Sequence, residues 1–152
     1  MNHSSCTQTR WPAALATAFA LWLFVISAHA ESLAVIVNKN NPNSSLSRAT
    51  IADMYRGEIL NWKEGDRIKL VNREISADTR KVFYLHALNA KPDQVFYRQG
   101  TPVPVQSVIE RSDEAVVRFV GTIEGAIGYV SLSRLKAMND DQVKMLLVIE
   151  DP

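Results

Sequence analysis

The chain has 152 residues, 47% of them hydrophobic and 22% charged, a balance that fits one ordinary globular domain and excludes a disordered or fibrous chain. Seventeen basic residues against 16 acidic ones leave a net formal charge of only +1, with no basic excess that points to nucleic acid or an anionic membrane surface. One cysteine, Cys6, and three histidines, His3, His29 and His86, leave little material for a disulfide framework, a thiolate metal site or a histidine cluster.

Arg10 precedes a nearly uncharged apolar run, WPAALATAFALWLFVIS, that ends in AHA, with Ala28 and Ala30 at the small-residue positions of a signal-peptidase site. The expectation is a secretory signal over residues 1–30, cleaved after Ala30, which places the product in the periplasm. The alternative is an uncleaved anchor, because the run approaches the ~18 apolar residues of a spanning helix. Cleavage would leave a domain over residues 31–152 with no net formal charge, no thiol and one imidazole, His86.

LAVIVN, residues 33–38, is a continuous β-branched apolar run before KNNPNSS and reads as a buried strand. Ser47 is expected to cap a helix, with Leu46 and Ile51 as a staple, Ile51, Met54 and Tyr55 at helical spacing, and Gly57 at the position after the C-cap. ILNWKEGDR is a polar connection carrying Trp62, and IKLVN is a second strand. A helix follows, with Ser76 as N-cap and Val82, Phe83, Leu85, His86 and Leu88 within it. Pro92 is expected to open a further helix through DQVFYRQ to a stop at Gly100, before an extended TPVPV. Ser112 caps DEAVVRFV, closed by Gly121; AIGYVS is a short buried strand, SRLKAMNDDQ a solvated turn, and VKMLLVIE the last strand. Trp62, Tyr55, Phe83, Tyr84, Phe96, Tyr97, Phe119 and Tyr129 are expected to fill the core or cover its edges. The alternation predicts one α/β domain with a small mixed or mostly parallel sheet flanked by helices.

The stretch VNREISADTRKVF, Val71 to Phe83, places Arg73 at a strand end just before a helix start. A fixed guanidinium facing the unpaired N–H groups and positive dipole end of a helix makes a cradle for an oxyanion. Asp78 stands within it. An aspartate in a first turn gains ~0.3–1 kcal/mol from the helix dipole, and it would repel an anion at ~4 Å by about 4 kcal/mol at an effective dielectric near 20. Asp78 is therefore expected to occupy or weaken the cradle, with Arg73 and Arg80 offsetting part of the repulsion if both point inward. The plainer readings stay open: Arg73 paired with Glu74 or Asp78, Thr79 as an ordinary first-turn hydroxyl, Arg80 as a solvated helix residue.

The order SLSRATIADMYRGEILNWKEG, then IKLVNRE and TRKVF, then DEAVVRFVGTIEGAIGYV resembles the second lobe of the periplasmic phosphate-binding proteins that serve ABC transporters, over about Leu33 to Glu150. The resemblance implies one lobe of a type II periplasmic-binding-protein-like fold and a solute-binding role for phosphate or a similar oxyanion. It carries over Arg73, Thr79 and Ser76 as candidate ligands, with Arg80 beside them. Where the family has a Gly-Ser-Gly-Thr-type turn, this chain has Ser76, Ala77 and Asp78 before Thr79. That departure, and the lack of a counterpart to the first lobe's loops, imply weak binding or none. They raise the alternative of a protein-interaction module that kept the fold and lost the ligand, its cleft completed by a partner or a second lobe. No nucleophile, histidine cluster, phosphate loop or paired-carboxylate pattern suggests catalysis, and no metal or cofactor is expected.

Overall fold

A computed structural model describes residues 31–151, so the expected signal segment lies outside the described residues. Five strands form one sheet: β1 (Leu33–Asn38), β2 (Lys69–Arg73), β3 (Val108–Glu110), β4 (Ala126–Ser131) and β5 (Val143–Ile149), in spatial order β3-β2-β4-β1-β5. β2 runs parallel to both β3 and β4, whereas β1 is antiparallel to its neighbours β4 and β5. The sheet is mixed, one of the two forms that the alternation of elements leaves open.

Helices α1 (Arg48–Tyr55) and α2 (Asp78–Leu88) cover one face, while α3 (Asp113–Thr122) and the short α4 (Leu132–Met138) cover the other. This is why β1 reads as an unbroken apolar run. Leu33, Val35 and Val37 point into the α1–α2 core, Ala34 and Ile36 into the α3 core, and neither face meets water. Phe83 stacks on Tyr129 at 3.9 Å between centroids and meets Tyr55 edge-on at 4.8 Å, so the first core is organised around three rings. Across the sheet, Gly128 of β4 lets α3 approach, since a Cβ there would lie 2.8 Å from Val116 Cγ1. Trp62 Nε1 donates to Gly125 O at 3.0 Å, so the tryptophan of ILNW is tied to the turn that opens GAIGYV.

Several expectations hold: Ser47 caps α1 through Thr50 N, Ser112 caps α3 through Ala115 N, and Gly57 follows the C-cap of α1 with φ +79°. Others fail for local reasons. No helix starts at Pro92. Residues 91–107 are irregular, held by Val105 N donating to Phe96 O, Arg98 N to Val103 O, and a bridge between Tyr97 and Pro104. In KPDQVFYRQ the apolar residues Val95 and Phe96 are adjacent instead of spaced by three or four, so a helix would have no stripe to bury. Tyr97 is 54% exposed and does not join the core. Ser76 is not the N-cap of α2; that position falls on Ala77, which provides no side-chain bond. Gly121 lies inside α3, whose C-cap is Ile123. SRLKAM is helical, because Ser131 caps it and Leu132, Leu135 and Met138 pack on the α3-side core.

Candidate functional site

The three parallel strands end on the same side of the sheet, and ligands of open α/β sheets bind outside such carboxyl ends. There the start of α2, the start of α3 and the end of β4 surround a groove of about 300 Å³. Arg73 closes it from the end of β2.

Arg73 is fixed from every side. Its backbone N–H donates to Asn72 Oδ1 at 3.0 Å and to the Tyr129 hydroxyl at 3.3 Å. That hydroxyl in turn donates to Asn72 Oδ1, and burial pushes it above the ordinary tyrosine range, so it stays protonated. Of the guanidinium, Nε donates to Glu110 O at 3.2 Å, one terminal nitrogen to Arg111 O at 3.0 Å, and the other to the carboxylate of Asp113. Asp113 is only 3% exposed, and its second oxygen accepts from Ser131 N at 3.1 Å. One buried ion pair therefore joins the ends of β2 and β4 to the first turn of α3. The partner of Arg73 is Asp113, and neither Glu74, which pairs with Arg111 at 3.4 Å, nor Asp78 takes that place.

The start of α2 offers donors. N–H groups of a first turn have no intrahelical acceptor, and no side chain among the described residues caps α2, so those of Asp78 and Thr79 remain for a ligand or solvent. Thr79 lines the groove with its hydroxyl buried and without a hydrogen-bond partner among the described residues. Ser112 and Ser131 cap α3 and α4, so those helices spend part of their donors internally.

Of the sequence candidates, Arg73 and Thr79 line the groove together. Ser76 is exposed and is not among its walls. Arg80 is neither solvated nor in the groove. It is 7% exposed, stacks over Tyr84 at 4.6 Å, and donates to Pro92 O and Arg73 O, both at 2.7 Å, which fastens α2 to the end of β2. Asp78 is at the rim, its carboxylate 87% exposed and bonded to Lys81 Nζ at 2.8 Å, so it does not sit on Arg73. The Lys81 bond holds its carboxyl below the usual range. A lowered folded-state pKa contributes stability above the unfolded value and loses it as pH falls through the folded one. Lys81→Met is expected to move the Asp78 midpoint back up in a carbon-detected carboxyl titration, and an unmoved midpoint would show the pair to be broken in solution.

Asp113, Glu114, Ser131, Arg111, Arg134 and Glu31 also line the groove without having been singled out in the sequence as site residues. Asp113 carries the usual signature of a first-turn acid after a serine cap, so its role as the counter-ion of Arg73 needed the third dimension. Among the described residues the groove thus carries three guanidiniums, of Arg73, Arg111 and Arg134, against four carboxylates, of Glu31, Asp78, Asp113 and Glu114. No group of three or more metal-ligating side chains occurs among the described residues.

Phosphate-binding protein PstS of Bacillus subtilis (strain 168) is 30% identical over 120 residues, which cover 76% of this chain and 35% of that protein. A phosphate ABC transporter substrate-binding protein from Clostridium perfringens, solved with bound phosphate, is 31% identical with a TM-score of 0.60, over 76% of this chain and 44% of the other. An ABC-type phosphate transport receptor from Vibrio cholerae is 26% identical with a TM-score of 0.59, over 76% and 45% respectively. The chain thus spans about a third to less than half the length of these relatives. The model of the PBP superfamily domain matches residues 26–149, nearly all of the described chain, and the chain belongs to that family.

Proposed function

We propose that this chain is a secreted, periplasmic solute-binding-type domain that takes up phosphate or a similar oxyanion in the groove at the strand ends, binds it weakly, and catalyses nothing. The observation that carries the reading is the buried, unpartnered hydroxyl of Thr79 beside the uncapped first turn of α2 and the guanidinium of Arg73. A buried polar group without a partner costs about 1–3 kcal/mol, and an oxyanion in the groove would supply its acceptor. The names of the relatives, phosphate-binding proteins and receptors of phosphate transport, point to the same ligand class.

Weakness follows from the charge count. Arg73 keeps two N–H bonds free after serving Glu110, Arg111 and Asp113. An anion that takes them also meets the Asp113 carboxylate, and at ~4 Å the attraction and the repulsion are each about 4 kcal/mol at an effective dielectric near 20, so they largely cancel. What remains is hydrogen bonding to Thr79 and the α2 amides. Isothermal titration of phosphate into the protein is expected to give saturable heat, with affinity rising about two- to fivefold in Asp78→Asn because an exposed charge is screened. Absence of saturable heat in both proteins would sink the oxyanion reading.

In that event the alternative gains. Ile75, Val95 and Ile109, each at least half exposed, stand around one concavity next to the end of β2, an apolar cluster of the kind that marks a protein contact. On this second reading the cleft is completed by a partner protein or a second lobe, and the domain has kept its fold without its ligand.

A further inference from the structure

A different cavity lies at the other end of β2. Lys69 opens the strand and Arg73 closes it, so at ~3.3 Å per residue the two ends are about 13 Å apart. β3 pairs with β2 only from Val71 to Arg73, and the chain before it, Val105 to Ser107, diverges from Ile68–Leu70. The divergence opens a cavity of about 380 Å³, within the ~300–1,000 Å³ typical of small-molecule sites.

Its walls are preformed. Ile68 N donates to Leu60 O at 3.0 Å, and Gln99 N to Gly57 O at 3.2 Å, which holds the 96–106 loop against the end of α1. Gly57 makes that approach possible: it has φ +79°, and a Cβ there would lie 2.5 Å from Val105 Cγ2. The floor is apolar, built from Met54, Ile59, Leu60, Ile68, Leu70 and Val105. Among the described residues, the charged side chains of the rim are those of Arg67, Lys69 and Arg98, all cationic, and no carboxylate lines the cavity. None of the three belongs to an ion pair among the described residues. Three cations gathered without counter-ions around an apolar hollow match a ligand that supplies both missing parts, an apolar body and an anionic head.

We propose that this cavity is a second binding site, for a small single-chain amphiphile carrying one carboxylate. The chain lies on Ile59, Leu60 and Leu70, and the carboxylate rests between Arg67, Lys69 and Arg98. The site is independent of the anion groove and does not rest on its reading.

The test uses octanoate, octan-1-ol and octylammonium as probes, followed by methyl-resolved NMR of the protein. Octanoate is expected to shift the methyls of Ile59, Leu60, Ile68 and Val105 saturably. Octan-1-ol should bind about tenfold more weakly or worse, and octylammonium should not saturate. Arg67→Gln with Lys69→Gln, both at exposed positions, should reduce octanoate to the level of the alcohol, and excess phosphate should leave the titration unchanged. Equal binding of octanoate and octan-1-ol would overturn the proposal by showing a nonspecific apolar hollow. Shifts centred on Ile75, Val95 and Ile109, or competition by phosphate, would overturn it by moving the site elsewhere.

Discussion

Arg73→Met is expected to destabilise the protein by about 3 kcal/mol in urea unfolding, one of the largest single-residue effects in the domain. Removing one partner of a buried ion pair costs ~3–5 kcal/mol because the other charge stays behind without compensation. The charge left behind is Asp113, 3% exposed, which would retain Ser131 N at 3.1 Å and the dipole of α3 as its only support. Glu110 O and Arg111 O lose a donor at the same time. Adding Asp113→Asn should then cost much less than the same change in the native protein, since the charge it removes is no longer paired. A double-mutant cycle reads that coupling directly. A loss below about 1 kcal/mol for Arg73→Met would show the pair to be screened by solvent, as exposed pairs are. It would also mean that the guanidinium is not held by the fold and is free to turn to a ligand.

The sequence carries this fold well and its site only in part, and the difference has a physical cause. β1, β4, α1 and α3 are specified by local signals: an unbroken apolar run between polar turns, or a serine cap before an apolar stripe. Such signals operate within one element. β3 has three residues at the sheet edge, two of them exposed, so it has too little burial to leave a pattern. α4 hid because SRLKAMNDDQ carries charges of both signs, as a solvated turn does, while its packing stripe of Leu132, Leu135 and Met138 is only partly buried. The failed helix at Pro92 shows the converse, a good start signal with no face to bury.

At the groove, Arg73 and Thr79 were legible because strand end and helix start are consecutive in the chain. Asp113 and Ser131 were not, since both are distant from Arg73 in the chain: Asp113 meets Arg73, and Ser131 meets Asp113, only after the parallel strands align their carboxyl ends. Asp78 illustrates the same limit. Its position in the first turn is readable, but the choice between facing Arg73 and bonding Lys81 is decided by side-chain geometry, and Lys81 takes it at 2.8 Å. The anion already present in the cradle is a buried aspartate from another helix.

Thr79→Val is expected to move two measurements in opposite directions. The substitution replaces a buried hydroxyl that has no partner among the described residues with a methyl of nearly the same volume. Leaving a polar group buried and unbonded costs about 1–3 kcal/mol, so the variant should be more stable than the native protein by roughly 1 kcal/mol in the absence of ligand. Phosphate affinity should fall at least tenfold, because hydrogen bonds to a charged group contribute ~1.5–3 kcal/mol and 1.4 kcal/mol is a factor of ten. A residue retained for packing would give the first effect without the second. One bonded to its surroundings in solution would give a loss of stability instead, and the case for a hydroxyl held in reserve for an oxyanion would then collapse. Gain of stability with loss of binding is the signature of a group whose partner is the ligand.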